Sequence, residues 1–183
     1  MKTLVLGGVR SGKSRYAEAL ALRSAGAVTL IATGTAGDEE MATRIAAHRA
    51  RRAATWTVVE EPLHLAGALA RTATPGTVVV VDCLTLWLTN LLCHADPAIL
   101  DTELEALVES LPNLPGNQVF VGNEVGFGIM PINDLARRFG DAAGILHQRL
   151  AALCDFVVLM VAGLPLTVKG SESGLQSISR GAR

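Results

Sequence analysis

Gly7-Gly8-Val9-Arg10-Ser11-Gly12-Lys13-Ser14 fills every fixed position of the pattern G-x-x-x-x-G-K-[ST]. Ahead of it, Thr3-Leu4-Val5-Leu6 is a short apolar run suited to a buried strand; behind it, residues 14–23 are rich in Ala and Leu and read as a helix. Strand, glycine loop and helix in that order let the backbone curl around a phosphate with its N–H groups turned inward, while the helix N-terminus adds its partial positive charge. In such a loop Lys13 reaches the outer phosphates and Ser14 holds Mg²⁺. Glycine-rich turns before helices also arise as plain turn chemistry, but eight residues in register behind a strand point to nucleotide binding.

The loop constrains the rest of the chain to be built around a parallel sheet, and the composition agrees. At 183 residues the chain is one domain's worth, large enough to bury about 70% of its unfolded surface. Half the residues are apolar and 4% aromatic, with apolar runs separated by Gly and Pro, as expected of a parallel sheet covered by helices. The formal net charge of −1 gives no sign of a nucleic-acid coat or an anionic membrane partner, so a small molecule is the expected partner. Three cysteines without C-x-x-C spacing, Cys83, Cys93 and Cys154, are expected to be reduced and buried, which suits a cytoplasmic address. No apolar run reaches the roughly 18 residues of a membrane span, and the N-terminus already reads as strand, without a signal peptide. Residues 1–170 are expected to form a single catalytic domain, and residues 171–183, where Ser, Gly and Arg replace the apolar pattern, a mobile tail.

Further strands are expected at 28–33, 56–60, 78–82, 118–122 and 156–161, and helices at 38–52, 63–71, 84–92, 99–111 and 135–153, with a turn at Thr74-Pro75-Gly76. The strand at 156–161 is read as the last strong one. Strands alternating with helices call for right-handed βαβ units and a three-layer α/β sandwich.

Several residues outside the loop carry chemistry. Val78-Val79-Val80-Val81-Asp82 resembles a Walker B strand: a carboxylate at the carboxyl end of a parallel strand sits where such sheets bind ligands, although an acid there also caps a following helix. Helical spacing brings Arg44, His48, Arg51 and Arg52 within reach of one another, with Arg49 nearby, a cation cluster in a chain neutral overall. From the residues alone, His48 reads as an ordinary surface histidine, and His64, His94 and His147 as structural or surface ones, without zinc-ligand spacing. Glu60 and Glu61 end a strand, where a carboxylate can accept the paired N–H donors of a guanine edge or simply face water. Asn123-Glu124-Val125-Gly126-Phe127-Gly128-Ile129-Met130-Pro131 follows a strand and reads either as a ligand loop or as a turn with a buried Phe127.

Taken together, the phosphate loop, I-A-T at 31–33, D-E-E-M-A-T-R-I-A-A-H-R at 38–49, T-N-L-L at 89–92 and N-E-V-G-F-G-I-M-P at 123–131 resemble one family over about residues 1–170. It is the bifunctional adenosylcobinamide kinase / adenosylcobinamide-phosphate guanylyltransferase family of cobalamin biosynthesis. The resemblance implies a RecA-like P-loop NTPase fold, three-layered with a mostly parallel central sheet flanked by helices, and usually a homotrimer. It implies ATP or GTP as phosphate donor to the aminopropanol hydroxyl of adenosylcobinamide, the corrinoid partner. A second reaction transfers GMP from GTP to a histidine and then to the corrinoid phosphate, giving adenosylcobinamide-GDP. The matching histidine is His48, so the resemblance overrides the ordinary reading of it. Lys13 is implied as a second catalytic residue, and Ser14 and Asp82 as Mg²⁺ ligands. The implied nucleotide contacts are Gly7, Gly8, Val9, Arg10, Ser11, Gly12, Lys13, Ser14, Ala32, Thr33, Gly34, Arg49, Ala50, Arg51, Arg52, Glu60 and Asp82. Many relatives carry Glu where this chain has Asp82, which keeps the charge on a shorter side chain. A single-activity P-loop kinase and a regulatory nucleotide-binding module are the two other readings of the same motifs; retention of GMP from α-labelled GTP separates the bifunctional enzyme from the first, and phosphoryl transfer to cobinamide separates it from the second.

Overall fold

The computed structural model describes residues 1–24, 26–35 and 55–171. The described chain runs β1 (Lys2–Gly7), α1 (Lys13–Arg23), β2 (Val28–Ala32), β3 (Thr57–Glu60), α2 (Leu65–Thr72), β4 (Val78–Asp82), α3 (Leu84–Leu92), α4 (Ile99–Ser110), a 3₁₀ turn, β5 (Asn117–Asn123), α5 (Asp134–Leu153), β6 (Phe156–Val161) and β7 (Leu164–Lys169). The expected helix at 38–52 lies outside the described residues, as do residues 172–183 of the expected tail.

The seven strands form one sheet in the order β3-β2-β4-β5-β1-β6-β7. Every pairing is parallel except β6 with β7. Strands buried on both faces need apolar side chains at consecutive positions, and alternate residues then feed opposite cores. Leu4, Ile31, Val79, Val81 and Phe120 pack under α2 to α5, whereas Val5, Leu30, Val78, Val80 and Val121 pack against Ala17, Leu20 and Ala21 of α1. The three layers of the expected sandwich are therefore present, with the helices unequally divided among the described residues.

Local chemistry sets the element ends. Thr77 N–H donates to Thr74 O at 3.1 Å across Pro75 and Gly76, and Gly76 takes a φ of 80°, the arrangement of a turn with Pro second and Gly third. Asn133 caps α5 by accepting from Ala136 N–H at 3.0 Å. No helix among the described residues is long and apolar enough to cross a membrane.

Two expectations need correction, and an exposed Phe127 removes one alternative. β7 was not anticipated: it pairs antiparallel at the sheet edge and holds Pro165, and an edge strand tolerates a missing N–H donor. Cys154 is buried and Cys83 half-buried, but Cys93 is exposed because it stands at the C-cap of α3 where the chain turns outward. Phe127 is 83% exposed, so the segment after β5 does not fold around it.

Trp87 ties the helical layer together. It is fully buried in α3, and its Nε1–H donates to Leu63 O at 2.7 Å, fixing the chain between β3 and α2. Trp87→Phe removes the donor and leaves a void, and should destabilise the fold by about 2–4 kcal/mol. Urea unfolding measures this, and a change below about 0.5 kcal/mol would show that the contact adds little.

Candidate active site at the carboxyl edge of the sheet

Because β1 to β6 run parallel, their carboxyl ends share one edge. In-register pairs align Glu60 with Ala32, Ala32 with Asp82, and Gly7 with both Asn123 and Met160. Residues as far apart in sequence as Gly7, Ala32, Glu60 and Asp82 thus stand along one rim. Between β3 and β1 lie four strand spacings of about 4.8 Å, so the rim from Glu60 to Gly7 extends roughly 19 Å.

At the β1 end the glycine loop turns into α1. Gly7 adopts a φ of 151° and Gly12 a φ of 96°, conformations that favour glycine. A Cβ on Gly7 would stand 2.5 Å from Met160 O and 2.7 Å from Ser11 Oγ. Arg10 takes the left-handed region with a φ of 56°, a strained choice for a residue with a side chain. The loop is closed by Ser11 N–H to Gly8 O at 3.3 Å and held against the β6–β7 turn by Gly163 N–H to Ser11 O at 3.1 Å. Gly12 offers no side chain to cap α1, and no acid lies in its first turn. The first N–H groups of that helix are therefore left for an anion.

Lys13 is buried with its Nζ donating to Gly8 O at 2.6 Å, so the ammonium group arches over the loop. Burial lowers its pKa, and the neighbouring Cys83 and Asp82 oppose the shift. Ser11 Oγ is buried and lacks a hydrogen-bond partner among the described residues. A hydroxyl of this kind, beside an ammonium group and glycine backbone, fits a phosphate oxygen. Ser14 and Asp82 contribute a hydroxyl and a carboxylate, the hard oxygen donors that suit Mg²⁺.

The neighbouring strand ends are clasped to one another. Thr33, fully buried, donates through Oγ1 to Cys83 O at 2.6 Å and accepts from Cys83 N–H at 3.0 Å, joining the exit of β2 to the exit of β4. Asn90 of α3 donates to Thr33 O at 2.8 Å and to Pro62 O at 3.1 Å, which ties in the exit of β3 as well. Burial pushes the Cys83 thiol up to about 11, with Asp82 adding to the shift, so it stays protonated at neutral pH. Glu60 is exposed at the end of β3. Ala32 and Gly34 flank Thr33 on the strand exit, and Gly8, Val9 and Arg10 form the outer turn of the loop. His48, with Arg44, Arg49, Ala50, Arg51 and Arg52, lies outside the described residues.

Sequence reasoning missed the clasp. Its signals were Thr33 and Asn90 themselves, polar residues within I-A-T and T-N-L-L, which name no contact on their own.

A strand, a glycine-shaped loop and an uncapped helix N-terminus at the carboxyl edge of a parallel sheet define a P-loop nucleotide-binding protein. The family model described as cobinamide kinase / cobinamide phosphate guanyltransferase matches residues 3–168. This chain belongs to that family, and is a bifunctional transferase of adenosylcobalamin biosynthesis. The bifunctional adenosylcobalamin biosynthesis protein CobP of Pseudomonas aeruginosa is 56% identical over 170 residues, covering 93% of this chain and 98% of its own. Its counterpart CobU of Salmonella typhimurium is 41% identical over 182 residues, covering 92% of this chain and 100% of its own. Likeness to the solved structure of PH0250 from Pyrococcus horikoshii OT3, with a TM-score of 0.52 at 10% identity over 95% of this chain and 88% of that one, concerns the fold alone.

The close approach at Gly7 yields a test. Gly7→Ala must displace Met160 O or distort the loop, and should weaken nucleotide binding at least about tenfold, or ~1.4 kcal/mol. Gly140→Ala, with open space around its Cβ in α5, serves as the control with unchanged affinity. Equal affinity for wild type and Gly7→Ala by calorimetry would contradict the steric account.

Proposed function

We propose that this rim carries both transfers of the family: phosphorylation of adenosylcobinamide by ATP or GTP, then transfer of GMP from GTP to adenosylcobinamide phosphate through His48. The observation that carries the reading is the alignment of the phosphate loop, Ala32, Asp82 and Glu60 along one sheet edge. β2 ends at this same edge, and in the sequence His48 falls between β2 and β3.

In the first reaction the loop residues Gly7, Gly8, Val9, Arg10, Ser11 and Gly12 hold the phosphates and Lys13 neutralises the charge that gathers on them. The corrinoid hydroxyl oxygen attacks the γ-phosphorus, an O–P bond forms, and the bridging P–O bond breaks with its electron pair leaving on the nucleoside diphosphate. Ser14 and Asp82 would hold Mg²⁺, which supplies charge neutralisation at the phosphates when bound.

In the second reaction the neutral imidazole of His48 attacks the α-phosphorus of GTP. An N–P bond forms and pyrophosphate departs; the corrinoid phosphate then attacks the same phosphorus, the N–P bond breaks, and the imidazole is regenerated. One difficult transfer becomes two easier ones. Arg49, Arg51 and Arg52 neutralise the transferring phosphate, with Ala50 between them. Ala32, Thr33 and Gly34 line the nucleotide between its ends, and Glu60 reads the guanine edge by accepting its N–H donors. The buried Thr33 and Asn90 contacts support this division, because they fix three strand exits as one rigid platform.

We further read residues 1–170 as the single catalytic domain and the working enzyme as a cytoplasmic homotrimer, as the resemblance implies. The free cysteines suit a reducing compartment. Light scattering reads the assembly directly, and a monomer at working concentration would contradict it.

The reading predicts that mixing the enzyme with GTP and Mg²⁺ adds the mass of GMP to the intact protein. The phosphoramidate should survive alkali and be lost in mild acid, because protonating the nitrogen makes it a good leaving group. His48→Ala should lack the adduct yet still phosphorylate adenosylcobinamide. An adduct that persists in His48→Ala, or unmodified wild-type protein under conditions that still give adenosylcobinamide-GDP, would remove His48 from the reaction.

A further inference from the structure

A further carboxylate stands at the loop end of the rim. Glu124 follows Asn123, the in-register partner of Gly7, and its N–H donates to Gly7 O at 3.0 Å. The first residue beyond β5 is thus bonded to the first glycine of the phosphate loop. Asp82 pairs in register with Val121, so Glu124 stands three residues further towards the open side and one strand nearer the loop.

The carboxylate is held and aimed. Its Oε1 accepts from Gly126 N–H at 2.6 Å, which fixes the side chain. Oε2 makes no hydrogen bond among the described residues and stands 3.9 Å from His147 Nδ1, beyond hydrogen-bond reach. The Glu124 side chain retains 21% of its exposure, so it remains open to a ligand. His147 lies beneath it in α5, its Nε2 only 3.0 Å from where a Cβ on Gly122 would stand; burial lowers its pKa and Glu124 opposes that shift. Oε2 is thus left open to accept a hydrogen bond from a ligand at the loop end of the rim.

We propose that Glu124 is the proton acceptor of the kinase reaction. As the corrinoid hydroxyl oxygen attacks the γ-phosphorus, its O–H bond breaks and the proton passes to Glu124 Oε2, while the electron pair of the bridging P–O bond leaves on the nucleoside diphosphate. Position supports this: an acceptor in line with the leaving group must enter from the open side of the loop, where Glu124 stands. The inference rests on the reading that this rim carries the kinase reaction. It also separates the two transfers, since the acceptor in GMP transfer is a phosphate with no such proton to surrender.

Glu124→Gln keeps the shape and an oxygen for Gly126 N–H but cannot accept the proton. Its turnover in phosphorylating adenosylcobinamide should fall at least about 100-fold. Its nucleotide affinity, and its transfer of GMP to supplied adenosylcobinamide phosphate, should stay within about twofold of wild type, where twofold is ~0.4 kcal/mol. Glu124→Asp, which restores a carboxylate, should recover part of the kinase turnover. Near-normal phosphorylation by Glu124→Gln overturns the proposal. So does a parallel loss of both transfers with weakened nucleotide binding, since that is the result of disturbing the contact with Gly7. A wild-type enzyme that makes adenosylcobinamide-GDP from the supplied phosphate but never phosphorylates adenosylcobinamide overturns the parent reading, and this inference with it.

Discussion

The backbone of Gly7 runs so close to Met160 that a single added carbon would stand 2.5 Å from its carbonyl oxygen. That approach is possible because β1 is flanked by β5 and β6 in an unbroken parallel register, so the chain leaves β1 between two fixed neighbours. Gly7 O accepts from Glu124 N–H on one side, and Ser11 O accepts from Gly163 N–H on the other. The phosphate loop is therefore a product of the sheet. A core of apolar residues on both faces of the sheet holds the strand ends in place, and the strand ends hold the loop.

The same constraint organises the chemistry. Phosphoryl and nucleotidyl transfer ask little of a protein beyond positioning and neutralisation of charge. Donors built from backbone and locked side chains do both without reorganising during the reaction. Lys13 and the α1 N-terminus stand at the β1 end of the rim, while Thr33 and Asn90 brace its middle. A site of this kind can accept different acceptors over one set of phosphate contacts, which is the economy a bifunctional transferase requires.

Much of this was legible in the residues. The glycine loop, the four-valine strand ending in Asp82 and the long α5 each carry a local pattern that burial then enforces, and their positions agree with expectation within a residue or two. β7 was not legible because Pro165 and the flanking glycines read as loop; only its place at the sheet edge makes the strand possible. Asn90 and Glu124 were visible as residues but their contacts were not, since each meets backbone atoms of segments distant in sequence. His48 is the reverse case: the arginines near it in sequence fit an ordinary charged helix face as well, and the reading of it comes from the family pattern at 38–49.

If one phosphate loop serves both transfers, Lys13→Ala must disable both. Phosphorylation of adenosylcobinamide and formation of the GMP adduct should both fall by at least about 100-fold, each ~2.7 kcal/mol or more of lost charge stabilisation, with the melting temperature close to wild type. Survival of either transfer near the wild-type rate in folded Lys13→Ala would contradict it.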